Sequence, residues 1–172
     1  MIRAVATILF LLLLSCSIRS ALPGGDTFTY SDDVSFSVTV PIARVKPTKA
    51  VDSSSAVYEF REITGNETTA IVRVRSVDVN SADDLFAPGY EPAFLKECQC
   101  VVAKRGVTHM GSLAAREYVV SLNGGSWTGY QRHVARDKKI IVVEVSGAAE
   151  QDVRVQSMFR TLTESLKLIP GM

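Results

Sequence analysis

The segment Ile140-Ile141-Val142-Val143-Glu144-Val145 constrains the fold more than any other, because it is apolar on almost both sides of the pleat. Successive side chains of a strand point to opposite faces. A strand apolar on both faces belongs near the centre of a sheet that is covered on both sides. Two further strands lead into it. Residues 113–122, 127–136 and 139–146 are joined by Asn123-Gly124-Gly125 and by Asp137-Lys138, connections of hairpin length. They form an antiparallel meander.

The rest of the chain supplies partners for that sheet. Residues 27–30 and 34–40 read as short strands around Ser31-Asp32-Asp33, with Phe36, Val38 and Val40 alternating with Ser35, Ser37 and Thr39, and Pro41 ending the ladder. Residues 43–55, polar and containing Pro47, read as a surface loop. Residues 57–62 and 70–79 make a hairpin around Thr64-Gly65-Asn66. In its second strand Val72 and Val74 oppose Arg73 and Arg75, and the pattern slips after Arg75, as at a bulge or the end of burial. Ser81 caps a helix start that Pro88-Gly89 breaks.

A helix is expected over 92–105. Pro92 suits its first turn, Lys104 and Arg105 suit its C-terminal dipole, and Gly106 suits a left-handed cap. Phe94, Leu95, Cys98, Val101 and Val102 would form its apolar face. A last helix over 150–165 places Val155, Met158, Phe159, Leu162 and then Leu166 at helical spacing. Hairpin-length connections exclude a doubly wound parallel sheet. The expected class is α+β, an antiparallel β-sheet with helices packed on its faces.

Met1-Ile2-Arg3 followed by the uncharged run 4–14 reads as a signal peptide. Eleven helical residues rise about 16 Å, roughly half of a bilayer core. Residues 1–21 are therefore expected to direct export, 22–26 to be a linker, and 27–170 to form one domain. Two cuts fit the sequence. Leu13-Leu14-Ser15-Cys16 approximates a lipobox, in which a lipidated Cys16 would anchor the domain to a membrane surface; a cut near Ser20 or Ala21 would release it. The expected location is periplasmic or extracellular. Of the 19 basic residues only Arg3 and Arg19 precede Ala21, leaving 17 against 18 acidic. With no basic stripe in that balance, nucleic acid is not an implied partner.

Phe36-Ser37-Val38-Thr39-Val40-Pro41, the glycine-led Gly111-Ser112-Leu113-Ala114-Ala115-Arg116-Glu117-Tyr118, the strand 140–145 and the ending Ser165-Leu166-Lys167-Leu168-Ile169 together resemble the PsbP-like fold group. That group includes PsbP, the Ran-binding Mog protein, DcrB and mycobacterial lipoproteins of the LpqN type. The tryptophan common after the proline is absent at Ile42 and Ala43. The resemblance implies a PsbP-like α/β/α sandwich over most of the mature domain. Members of the group act differently and none is a well-established enzyme, so it implies a non-enzymatic module that binds a protein or small ligand.

Candidate chemistry is sparse. On a continuous helix Cys98 and Cys100 project about 200° apart, so their sulfurs cannot meet without unwinding. This leaves Cys98 in the core and Cys100 as an inert thiol, a bridge to another chain, or a sign that the helix ends early. With His109 and Met110 nearby, Cys98, Cys100 and His109 are candidates for thiol-redox or soft-metal chemistry. No nucleophile elbow, His-Glu-x-x-His pair or phosphate loop is present, and Asp83-Asp84 fits a helix's first turn. No enzyme activity and no cofactor is implied. Asn66-Glu67-Thr68 is a glycosylation acceptor at a hairpin tip if the host is eukaryotic. Trp127, Tyr118 and Tyr130 are core or binding-surface aromatics.

Overall fold

The computed structural model describes residues 27–30, 36–42, 48–52 and 55–168. The signal run 1–21, Cys16 and the linker 22–26 lie outside the described residues. Among the described residues ten strands are formed: β1 (Thr27–Tyr30), β2 (Phe36–Thr39), β3 (Thr48–Asp52), β4 (Ser55–Thr64), β5 (Glu67–Asp78), β6 (Val101–Met110), β7 (Leu113–Leu122), β8 (Trp127–Arg136), β9 (Lys139–Ala148) and β10 (Lys167–Leu168). Among the described residues there are two α-helices, α1 (Tyr90–Cys98) and α2 (Asp152–Ser165).

The main sheet has seven antiparallel strands in the order β3-β4-β5-β9-β8-β7-β6, so β9, which holds Ile140–Val145, is the central strand as its composition demands. On one face, Val72, Val74, Val134, Ile141, Val143 and Val145 meet Val155, Met158 and Leu162 of α2 and Phe36, Val38 and Val40 of the small sheet β1-β2-β10. Leu162 is 0% exposed. The helix settles closely because Gly147 lies beneath it, where a Cβ would stand 2.7 Å from the Val155 side chain and 3.0 Å from the Thr69 carbonyl oxygen. The other face is covered by a single helical turn, Ala82–Phe86, and by α1. Ser81 caps that turn: its hydroxyl accepts from the Asp83 N–H at 3.2 Å while the Asp84 carboxylate accepts from the Ser81 N–H at 3.1 Å. Leu85 then buries completely against Ile140 and Val142.

Three expectations are corrected. The helix expected over 92–105 ends at Cys98, because Gln99 takes the left-handed conformation (φ 51°, ψ 40°) that a glycine usually supplies. Residues 101–110 then pair with β7 as a strand, since Val101, Val102, Val107 and Thr108 are β-branched and suit an extended backbone. The loop expected over 43–55 contains β3 and the start of β4. No bulge follows Arg75: β5 runs on in register with β9, and Ser76 is a small polar residue on the buried face, so it only imitates a slip in the pattern. The β4–β5 irregularity lies instead at Glu62/Ile63.

Candidate functional site

Register places charged residues on both faces of the sheet, with different outcomes. On the α1 face, Glu59, Arg73, Glu144, Gln131 and Tyr118 stand opposite one another on successive strands. Arg73 donates to Glu59 at 2.8 Å and to Glu144 at 3.3 Å, and the Gln131 amide Nε2 donates to Glu144 at 3.1 Å. With Nε2 committed, Gln131 Oε1 accepts from His133 Nε2–H at 3.1 Å, which leaves Nδ1 to accept the Tyr90 hydroxyl at 2.7 Å. His133 is 0% exposed among Tyr90, Phe94 and Tyr118. Burial, reinforced by the charges of Arg75 and Arg116, pushes its pKa down to about 3.

Burial raises the Glu144 pKa despite Arg73 and Arg75, and burial also raises that of Tyr90. In Glu59 burial pulls upward, but hydrogen bonds from Arg73 and Arg61 outweigh it and hold the carboxyl below its usual value. A neutral ring with both nitrogens occupied and no exposed surface offers no base to a substrate. The network instead fastens α1 to the sheet. The recess of about 280 Å³ beside it is charge-matched, Arg73 with Glu144 and Arg75 with Glu97.

The α2 face is different. The helix covers β9 and β8 but stops short of β7 and β6, leaving an open groove of about 270 Å³. Its walls carry Lys104 from β6, Glu117 from β7, Tyr130 and Arg132 from β8, and Phe159 and Arg160 from α2. Tyr130 and Phe159 stack at 5.8 Å between centroids, and the Tyr130 hydroxyl donates to Asp152 at 2.8 Å in the first turn of α2, which fixes the helix over the strands. Burial, together with that carboxylate, pushes the Tyr130 pKa up to about 12. Arg132 is engaged by Glu117 at 2.8 Å. Among the described residues, Lys104 and Arg160 have no ion-pair partner. Four cations thus line a half-enclosed recess with aromatic walls and one carboxylate; Arg105 is paired with Glu91 and Arg132 with Glu117, and Lys104 and Arg160 are left to attract an anion.

The architecture has known counterparts. No family model matches the chain, and no curated protein matches it. Among solved structures, cyanobacterial PsbP (CyanoP) from Synechocystis sp. PCC 6803 superposes with a TM-score of 0.60 at 13% identity, over 85% of this chain and 93% of that one. The fold is PsbP-like. LpqN of Mycobacterium tuberculosis, described as involved in cell envelope biogenesis, is similar at a TM-score of 0.47 and 16% identity, over 84% of this chain and 91% of that one. At such identities the likeness concerns the fold, and the groove is formed by this chain's own side chains.

The residues singled out in the sequence fall elsewhere. Cys98 and Cys100 are joined in a disulfide, their Cα atoms 5.2 Å apart. A free Cys100 or a bridge to another chain is thereby corrected: the chain reversal at Gln99 supplies the unwinding that a continuous helix would not allow. His109 is at the far end of β6, about 27 Å along the strand from Val101 at the usual rise. The structure does not assemble Cys98, Cys100 and His109 into one site. Among the described residues, no three His, Cys, Asp or Glu side chains converge as metal ligands, and no helix is long and apolar enough to cross a membrane. Asn66 is exposed at the β4–β5 turn. Tyr118 and Tyr130 are buried, and Trp127 is half-buried at the start of β8.

Proposed function

We propose that this protein is a non-enzymatic, exported module that binds an anionic ligand or partner in the groove between α2 and strands β6–β8. The observation that carries the reading is the charge imbalance there: Lys104, Arg105, Arg132 and Arg160 against Glu117, with Lys104 and Arg160 unpaired among the described residues. In the recess on the opposite face the cations are matched at short range, Arg73 with Glu144 and Arg75 with Glu97. Carboxylate or phosphate oxygens would take the guanidinium hydrogens, and Tyr130 and Phe159 would cover an apolar portion. The signal-like run 4–14 supports export, and a lipid on Cys16 would tether the domain to the envelope.

Calorimetric titration of the mature domain with citrate at low ionic strength tests this reading. Binding should weaken as salt is added and fall at least about tenfold in the Lys104→Glu/Arg160→Glu variant. Citrate binding that this variant leaves unchanged, or no binding by the native domain, refutes it.

A further inference from the structure

The groove opens onto an unusual edge. β6 is the last strand of the main sheet and, among the described residues, pairs only with β7. It is ten residues long, whereas the opposite edge, β3, has five. Native sheets blunt long edges with charges, bulges or a covering element. Here the register shift at Val102/Lys104 and the pair Lys104-Arg105 are the guards, and Val101 and Val107 stand 70% and 67% exposed.

We propose that the β6 edge accepts an eighth strand, an extended segment of another protein in which acidic and apolar residues alternate. This rests on the groove being the binding place, and it names the partner. Lys104 and Gly106 lie on the α2 face and line the groove. A Cβ at Gly106 would meet nothing within 4 Å, so the α2 face of β6 is open at that residue. Carboxylates on that side of the segment face the unpaired cations. On the other side Arg105 is already held by Glu91 at 2.9 Å, and the exposed neighbour is Val107, which suits an apolar residue. Main-chain hydrogen bonds supply affinity, and the alternating side chains supply selection. A second copy of β6 fits less well, because it brings Lys104 and Arg105 and no carboxylate to set against the groove's cations.

The probe is a labelled peptide, acetyl-Thr-Glu-Val-Glu-Val-Glu-Val-Thr-amide, titrated against the mature domain by fluorescence anisotropy. In an added antiparallel strand the N–H groups of alternate residues face β6 and the others face solvent. N-methylation of all three valines and N-methylation of all three glutamates must therefore differ: one should weaken binding at least about tenfold and the other leave it within about twofold. Arg160→Glu should weaken the parent peptide about tenfold. Equal effects of the two methylations overturn strand addition. So does a dimer in sedimentation that Val107→Glu disperses, since a second copy then holds the edge. If citrate binds and no peptide does, this inference fails while the groove reading stands; if neither binds, both fail.

Discussion

Acidification should destabilise the domain through His133, and the size of the effect follows from its surroundings. The ring is 0% exposed, hydrogen-bonded through both nitrogens as a neutral imidazole, and its pKa is pushed from 6.5 to about 3. The unfolded chain takes up a proton near pH 6.5 and the folded one does not until about pH 3. Between those values the unfolded state binds more protons, so stability falls as pH falls, by about 1.4 kcal/mol per pH unit. From pH 7.5 to pH 5 the loss from this one group is about 2 kcal/mol.

Urea unfolding at constant ionic strength, repeated across that range, measures it. Comparison with His133→Gln isolates it, because the two chains share the carboxylates, including Glu144, whose raised pKa acts in the opposite sense. The variant is expected to start less stable and to lose about 2 kcal/mol less between pH 7.5 and pH 5. Parallel stability curves for the two proteins over this interval would refute the argument that His133 is buried, neutral and fully bonded.

Three further outcomes are expected. Gly147→Ala should cost about 1–3 kcal/mol in thermal or urea unfolding, since its methyl meets Val155 and the Thr69 carbonyl oxygen; an unchanged midpoint would mean that α2 packs less closely than described. Replacing both Cys98 and Cys100 by serine should cost only about 1.5 kcal/mol, because a three-residue loop removes little entropy from the unfolded chain; failure to fold would show that the bridge holds more than the end of α1. Arg73→Met should cost about 3 kcal/mol at pH 7 by stranding Glu144, and less at pH 5, where Glu144 can take up a proton; an equal cost at both would show that Glu144 stays ionised.

The sheet was legible wherever one segment carried its own signal. Ile140–Val145 announced the central strand, and Asn123-Gly124-Gly125 and Asp137-Lys138 announced the meander. The end of α1 was not legible, because the left-handed turn falls on Gln99, while Lys104, Arg105 and Gly106 imitate the close of a longer helix. Missing β6 removed the sheet's edge, and with it the site.

The groove has no local motif. Lys104, Arg132 and Arg160 come from three elements and meet only once β6, β8 and α2 are placed. One trace was present in the sequence: Arg132 shares a face of its strand with Tyr130 and Val134, both of which are buried. Glu144, the one charge in Ile140–Val145, was the matching trace of the ladder on the other face.

An anion held between Lys104, Arg132 and Arg160 can be located directly. The most direct measurement is anomalous diffraction from crystals of the mature domain soaked in selenate, a tetrahedral dianion that marks its own position. The strongest anomalous peak should lie in the groove, within hydrogen-bond distance of the Arg132 and Arg160 guanidinium groups, and disappear in the Lys104→Glu/Arg160→Glu variant. A groove without a peak in crystals that bind selenate at other arginines would contradict it.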